Sequence, residues 1–266
     1  MICLLQITHL DNGSAAKYVA TSMLEIAHDT YIYDMPSVTI VEIMGRNAGW
    51  LTAASSLARN DYNASPDLIY LPEVSLSRKT FIQDVKKLQE KRQNIIIAVS
   101  EGVKGEDGDY LSASGSAVDS FGHKMLSGAA TVLEDWVKED IGCKARSVIL
   151  NVLQRSAAHI CSATDITESL MIGSAAVDAA LSGVTGKMVC FKRVSNDPYK
   201  VEIITSHVDG IANAEKKVPS EWITPDQNDL TQDFIDYARP LIEGQMEMAF
   251  ENGLPVYCNI AHIQQK

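Results

Sequence analysis

The most informative segment of the chain is Ser37-Val-Thr-Ile-Val-Glu-Ile-Met-Gly-Arg-Asn-Ala-Gly49. Six of the seven residues at positions 38–44 are β-branched or otherwise apolar, which is typical of a strand buried on both faces. Gly45 and Arg46 end this run, and Asn47 is placed to cap a following helix. A strand that passes through a glycine into a helix predicts a parallel α/β sheet, in which ligands bind beyond the carboxyl ends of the strands.

Gly45 and Arg46 form the first candidate site. Glycine lets a ligand approach the backbone closely, and the guanidinium group of arginine is a planar fork suited to phosphate or carboxylate. A tight turn that carries a solvated arginine is an equally frequent alternative for these two residues alone. The choice between these two interpretations therefore depends on which residues end the other predicted strands.

Composition and charge narrow the classes of protein to consider. The 266 residues are enough for a full α/β core, and 46% hydrophobic with 21% charged residues is typical of a soluble globular protein. A net charge of -11 argues against nucleic acid or an anionic membrane surface as a partner. The five cysteines show no C-x-x-C spacing, which favours reduced thiols and a cytoplasmic location. No apolar run has the length of a membrane span.

Three further segments are expected to join the same sheet. Residues 67–73 and 94–101 are apolar runs that end in Glu73 and Glu101, and residues 146–155 have an arginine at each end. Amphipathic segments between these runs predict helices, so the alternation predicts a parallel sheet with helices on both faces. Arginines and carboxylates at one sheet edge suit a phosphorylated sugar, because guanidinium binds phosphate and carboxylate binds hydroxyl groups.

The second half of the chain has its own pattern. Asp165 and Glu168 have the spacing of a capping box and predict the start of a helix that Gly183 can end. Residues 187–194 and 201–206 predict two paired strands around a turn. No spacing of histidine, cysteine or acidic residues matches a standard metal site, so no metal ligand is predicted in this chain.

Several motifs resemble those of the phosphofructokinase family and occur in the same order. The resemblance extends from Gly13 to about the end of the chain, and the ending of its first motif resembles the pyrophosphate-dependent branch. The motifs are Ser37-Val-Thr-Ile-Val-Glu-Ile-Met-Gly-Arg-Asn-Ala-Gly-Trp50, Pro66-Asp-Leu-Ile-Tyr-Leu-Pro-Glu73, Ala98-Val-Ser-Glu-Gly102, Asp119-Ser-Phe-Gly-His123, Leu153-Gln-Arg155 and Lys217-Val-Pro219.

The resemblance implies a fold, a reaction and a set of site residues. The fold would be a three-layer α/β sandwich of phosphofructokinase type in a homo-oligomer, dimeric or tetrameric. The reaction would be the glycolytic transfer of a phosphoryl group to the 1-hydroxyl of fructose 6-phosphate, from pyrophosphate or, as the second choice, ATP, with Mg²⁺. Arg46 would also stabilise the negative charge on the phosphoryl group during its transfer and is the one candidate catalytic residue. The residues implied to bind the sugar phosphate are Met44, Gly45, Arg46, Glu101, Arg146 and Arg155, with one of the last two acting from a neighbouring subunit.

Three motifs of the family do not occur in this sequence. These are the glycine-rich loop for the phosphoryl donor, the Gly-Gly-Asp segment that helps to hold magnesium, and the Thr-Ile-Asp-Asn-Asp stretch that supplies the catalytic base. We therefore expect an incomplete first lobe, and we expect the magnesium ligands to be absent from this chain. The expected division is a remnant and helix at 1–36, the sugar-phosphate lobe at 37–155, and the rest of the first lobe with a tail at 156–266.

Two alternatives to an active phosphotransferase follow from these missing motifs. Phosphoryl transfer needs a positioned donor, a metal ion and a group that orients the nucleophile. The chain could thus be a non-catalytic sugar-phosphate-binding or regulatory subunit that assembles with a full-length partner. It could also be an incomplete gene product that is inactive and unstable alone.

Overall fold

A computed structural model describes residues 13–112, 128–211 and 215–257. Its centre is a four-stranded parallel sheet with the order β2-β3-β1-β4. The strands are Ser37–Ile43 (β1), Leu68–Tyr70 (β2), Asn94–Ser100 (β3) and Lys144–Ile149 (β4). The parallel sheet expected from the sequence is confirmed.

The described residues form six α-helices, and all but the fifth bury side chains in the cores on the two faces of this sheet. They are Gly13–Thr30 (α1), Trp50–Ala54 (α2), Arg78–Gln89 (α3), Ala129–Asp140 (α4), Ala163–Leu181 (α5) and Gln232–Ala238 (α6). One apolar core lies between the sheet and α1, α2 and α6, and a second lies between the sheet and α3 and α4. This arrangement confirms the three-layer sandwich. The central strands are buried on both faces, as their unbroken apolar runs predict.

A smaller unit follows the sheet. Lys187–Asn196 (β5) and Tyr199–His207 (β6) form an antiparallel hairpin, as the sequence predicts. Helix α5 rests on this hairpin through Ile172, which packs against Cys190, Phe191 and Ile211. Two short strands, Phe250–Glu251 (β7) and Leu254–Pro255 (β8), pair near the end of the described chain.

Short 3₁₀ helices complete the secondary structure of the described residues. They are Ser55–Ala58, Asn151–Arg155, Ala158–Ile160, Val208–Gly210, Ser220–Trp222 and Arg239–Ile242. The strand expected at 146–155 is wrong in its second half. The strand ends at Ile149, and Arg155 lies in the 3₁₀ helix that follows it. Asn151 has a φ of +45°, which turns the chain away from the strand direction.

Two predicted helix caps are wrong. Asn47 does not cap α2, because its side chain bridges two loops, donating to Glu215 and accepting from Tyr110. The cap of α5 is Ser162, whose Oγ accepts from the backbone N–H of Asp165 at 3.4 Å. The Asp165 carboxylate instead accepts hydrogen bonds from the backbone N–H and hydroxyl of Ser14 at the start of α1.

Two expectations are not settled by this fold. The division of the chain at residues 36 and 155 stays a prediction. The motif at 119–123 and the expected helix residue Leu126 lie outside the described residues. Among the helices that are described, none is long and apolar enough to cross a membrane.

Candidate functional site at the carboxyl edge of the sheet

The turn after β1 depends on Gly45. Its φ of +152° lies in the region that side chains disfavour, and a Cβ there would lie 2.8 Å from the carbonyl oxygen of Ala48. The N–H of Gly45 donates to Oε1 of Glu101 at 3.1 Å, and its carbonyl oxygen accepts from the hydroxyl of Ser100. The turn after β1 is therefore fastened to the end of the neighbouring strand β3.

Gly102 fixes the position of the Arg46 backbone. A Cβ at Gly102 would lie only 1.7 Å from the carbonyl oxygen of Arg46, so only glycine allows this close packing. The N–H of Gly102 donates to Oγ of Ser100 at 3.2 Å, which makes that buried hydroxyl a bridge between the two strand ends. The adjacent ends of β1 and β3 thus bring Arg46 and Glu101 to the same place.

The 3₁₀ helix after β4 supplies the third side of the site. Gln154 is 2% exposed, and its Oε1 accepts from the N–H of Met44 at 3.2 Å. This bond ties the segment to the turn after β1. Arg155 follows directly, is exposed to solvent, and lies close enough to Glu101 to act on its charge.

Glu101 lies between opposing electrostatic influences. Burial raises the pKa of Glu101 above its ordinary value, and the nearby negative charge of Glu42 raises it further. The N–H of Gly45 and the positive charges of Arg46 and Arg155 act in the opposite direction. A carboxylate in the neighbourhood of two arginines can accept a hydrogen bond from a hydroxyl while the arginines bind an anionic group of the same ligand.

Glu73 supports this edge. Its Oε1 accepts from the N–H of Gly49 and from the N–H of Val218, both at 2.9 Å. Burial raises the pKa of Glu73. Its Oε2 is buried and has no hydrogen-bond partner in the part of the chain that the structure describes. The side chain thus fastens the start of α2 to the segment before α6.

Arg146 does not join the other site residues within this chain. It stands opposite Thr39 in the β1–β4 register, four residues or about 13 Å before the end of β1. Its guanidinium donates to Thr39, to Thr30 and, at 2.6 Å, to Asp29. The structure therefore brings Met44, Gly45, Arg46, Glu101 and Arg155 together, and the action of Arg146 across subunits stays a prediction.

Three residues of this edge were not among the predicted site residues. Gln154 and Ser100 hold the turn after β1, and Glu42 contributes to the raised pKa of Glu101. Glu42 had a signal in the sequence, because it is the one acidic residue in an otherwise apolar buried strand. Ser100 and Gln154 lie within two of the family motifs, but their bonds to the turn after β1 were not predictable, because these depend on which strand ends are neighbours.

The described residues offer no ready set of magnesium ligands. Within residues 13–112, 128–211 and 215–257, no three histidine, cysteine or acidic side chains come together as metal ligands would. This part of the chain does not fit a resident magnesium ion.

Comparison with known proteins agrees with the motifs. The family model described as phosphofructokinase matches residues 12–180. A pyrophosphate–fructose 6-phosphate 1-phosphotransferase of Halomonas elongata is 38% identical over 94% of this chain and 60% of its own length. The enzyme of the same name from Methylococcus capsulatus is 37% identical with the same coverages of 94% and 60%. The chain therefore spans about 60% of the length of these curated relatives.

Solved structures give the same result. The pyrophosphate-dependent phosphofructokinase of Nitrosospira multiformis superposes with a TM-score of 0.81 at 35% identity, over 92% of this chain and 58% of that protein. The corresponding protein of Marinobacter aquaeolei gives a TM-score of 0.80 at 34% identity with the same coverages of 92% and 58%. The chain belongs to the phosphofructokinase family.

Proposed function

We propose that this chain binds fructose 6-phosphate at the carboxyl edge of the sheet and takes part in phosphoryl transfer to the 1-hydroxyl of the sugar. The observation that carries the proposal is that hydrogen bonds join three strand ends at this edge: the N–H of Gly45 donates to Glu101, and the N–H of Met44 donates to Gln154, the neighbour of Arg155. In this arrangement the guanidinium of Arg155 binds the 6-phosphate, and the Glu101 carboxylate accepts a hydrogen bond from a sugar hydroxyl. Arg46 stabilises negative charge on the transferred phosphoryl group.

Pyrophosphate is the proposed donor, because the relatives with the highest coverage carry pyrophosphate in their names. ATP is the second choice. Mg²⁺ would accompany either donor and neutralise charge on its phosphates, with ligands outside the described residues. We further propose a cytoplasmic homo-oligomer, with no nucleic-acid or membrane partner, in which Arg146 acts across the subunit interface.

A non-catalytic sugar-phosphate-binding subunit is the second candidate function. It needs only the residues proposed to bind the sugar phosphate, and Arg46, Glu101 and Arg155 all lie in this chain. Such a chain would keep the affinity for fructose 6-phosphate and would depend on a full-length partner for turnover.

The experiment combines calorimetric titration of fructose 6-phosphate with turnover assays that contain Mg²⁺ and either pyrophosphate or ATP. Arg155→Gln should weaken sugar-phosphate binding about 10- to 100-fold, because it removes a charge-assisted hydrogen bond. Arg46→Ala should abolish any turnover. The matched control is Arg78→Gln, because Arg78 is an exposed arginine that pairs with Glu139 and Asp140 of α4.

The outcomes separate the candidates. Pyrophosphate-dependent turnover that is lost in Arg46→Ala supports the phosphotransferase. Saturable binding without turnover supports the binding subunit. Absence of binding in the folded wild-type chain, or equal weakening by Arg78→Gln and Arg155→Gln, contradicts the proposed site.

A further inference from the structure

A cavity of about 430 Å³ lies beside the end of β5 and shares no lining residue with the proposed sugar-phosphate site. Its volume is in the range that small-molecule sites occupy. Its walls combine cationic, polar and aromatic residues, namely Arg193, Lys216, Ser195, Asn196, Trp222 and Tyr237. The proposed function gives no role to this cavity.

Arg193 is held in one orientation at the cavity wall. Its Nη1 donates to the carbonyl oxygen of Tyr237 at 2.6 Å. Its guanidinium carbon lies 4.5 Å from the ring centroid of Tyr237 and 4.7 Å from that of Tyr199. Aromatic rings on a guanidinium group favour the cation and fix its plane. A ligand that binds this group therefore does not have to order it first.

Two nitrogens of Arg193 lack a hydrogen-bond acceptor. Its Nε and Nη2 are buried, and no acceptor for them is found in the part of the chain that the structure describes. Glu168, whose charge acts on Arg193, accepts instead from the hydroxyl of Tyr199. A buried donor without an acceptor is costly. Because Arg193 lines the cavity, an oxyanion bound there can bring acceptors that these residues do not supply.

The charge of the cavity wall has one sign. Arg193 and Lys216 are the charged residues among the described residues that line it, and none of these is acidic. Glu215, the neighbour of Lys216, is exposed and accepts from the side-chain amide of Asn47. In a chain with a net charge of -11, such a concentration of cations favours an anionic ligand at this place.

Trp222 and Tyr237 form the aromatic wall of the cavity. Their ring centroids are 5.0 Å apart, with an angle of 45° between the planes. Trp222 also packs edge-on against Trp50 at 6.1 Å, and the indole N–H of Trp50 donates to the carbonyl oxygen of Lys216 at 2.9 Å. One aromatic cluster thus positions both the apolar wall and the backbone of the second cation. A flat apolar group can pack on such rings.

We propose that this cavity binds a small anion that carries a phosphate or carboxylate group on a flat apolar body. Arg193 and Lys216 bind the anionic group, because guanidinium and ammonium groups form charge-assisted hydrogen bonds with oxyanions. Trp222 and Tyr237 contact the apolar body. The inference is independent of the proposed function, because it assigns none of these residues to the sugar phosphate.

The test is a calorimetric titration of the wild-type chain, Lys216→Gln and Lys192→Gln with phenyl phosphate, benzoate and inorganic phosphate. Lys192 provides the matched control, because it precedes Arg193 on β5, is exposed and does not line the cavity. Phenyl phosphate should bind more tightly than inorganic phosphate, which has no apolar body. Phenyl phosphate and benzoate differ in their anionic group, so their relative affinities distinguish a phosphate ligand from a carboxylate ligand.

Lys216→Gln should weaken the binding of phenyl phosphate about 10-fold, because it removes a charged donor. Lys192→Gln should change it less than about twofold. Arg155→Gln, which alters the proposed sugar-phosphate site, should leave it unchanged. Absence of saturable binding of both aromatic anions overturns the inference. Equal weakening by the two lysine variants, or weakening by Arg155→Gln alone, also overturns it.

Nitrogen-15 NMR of the tryptophan indoles locates the bound anion. The chain has three tryptophans, and Trp136 packs against Phe81 in the core under α3 and α4. Phenyl phosphate should shift the indole signal of Trp222, which is assigned by its absence in Trp222→Phe, and should leave the signal of Trp136 unchanged. Saturable binding that shifts only Trp136, or neither signal, contradicts the assignment to this cavity.

Arg193→Lys provides a second variant in case Lys216→Gln does not fold. Lysine keeps the positive charge but removes Nε and the planar fork. The affinity for phenyl phosphate should fall about 10-fold in this variant and stay unchanged in Lys192→Gln. Retained affinity in Arg193→Lys contradicts the role of the buried guanidinium nitrogens.

Discussion

Helices α4 and α5 show how differently two parts of this molecule are stabilised. The 12-residue helix α4 buries Ala129, Ala130, Leu133 and Val137 against the parallel sheet. The 19-residue helix α5 has no buried residue, and its side chains include Leu170 and Leu181 with exposures of 72% and 82%. Both helices carry apolar side chains at helical spacing, but only one of them is covered by a sheet.

The difference places the candidate site in the well-packed part of the chain. Strands β1 and β3 have nearly all their side chains buried, so the positions of the turns that follow them are fixed. The unit formed by α5 and the hairpin is held by the first turn of α5, which bonds to Ser14 and to Leu241, and by Arg193, which donates to the carbonyl oxygen of Tyr237. We therefore expect the two parts to respond differently to equivalent substitutions.

The largest expected difference is between Leu133→Ala in α4 and Leu170→Ala in α5. Leu133 is fully buried, so its truncation should lower the free energy of unfolding by about 2–5 kcal/mol. Truncation of the exposed Leu170 should change it by less than about 0.5 kcal/mol. Urea unfolding of both variants measures the contrast. A similar cost at both positions would show that α5 is covered in solution and would contradict the comparison.

Gly102→Ala should have the next largest effect, and this effect should be a loss of ligand affinity at the site. The added Cβ would displace the backbone of Arg46, so fructose 6-phosphate affinity should drop about 100-fold, or roughly 2.7 kcal/mol. Gly142→Ala is the control, because it introduces a strained φ of +78° where no atom lies within 4 Å. The control should lose stability while keeping its affinity in the same calorimetric titration. Retained affinity in Gly102→Ala would disprove the role of this close contact.

Ser162→Ala tests whether α5 is held by its first turn. The Ser162 hydroxyl caps α5 and donates to the carbonyl oxygen of Leu241 at 2.7 Å. Loss of the Ser162 hydroxyl should lower the free energy of unfolding by about 1–2 kcal/mol. Ser77→Ala, which removes the exposed cap of α3, should cost less, about 0.5–1 kcal/mol. Denaturant unfolding gives both values, and the reverse order would mean that the first turn of α5 is not its main attachment.

Glu73→Gln should have the smallest effect, and its size should depend on pH. Because the folded state raises the pKa of Glu73, the contribution of this group to stability is lost as the pH rises from the ordinary carboxyl range through the raised value. Glutamine can accept the same two N–H bonds and does not ionise. The variant should match the wild type near pH 4 and be more stable by up to about 1 kcal/mol near pH 7. Unfolding curves at both pH values test this, and a variant that is less stable at neutral pH would contradict it.

The sequence predicted the elements well wherever burial alone determines them. Strands β1 and β3 are runs of β-branched residues, and such runs admit few other structures in an α/β chain. The strand predicted at 146–155 was too long, because its apolar spacing continues past Ile149. The turn at Asn151 depends on a backbone angle that the spacing does not encode.

The site was predictable in part for a related reason. Gly45, Arg46 and Glu101 follow directly from the ends of predicted strands, because parallel strands place their carboxyl ends at one edge. The links between them were not predictable. The bond from Met44 to Gln154 and the influence of Glu42 on the pKa of Glu101 depend on strand order, which a single sequence does not state.

The most direct test of the central claim is amide hydrogen exchange with and without saturating fructose 6-phosphate. The claim is that the ligand binds where β1, β3 and the 3₁₀ helix after β4 meet. Exchange should slow at residues 44–49 and 100–104 and stay unchanged along α5. Slower exchange in α5 and the hairpin, with none at the sheet edge, would contradict it.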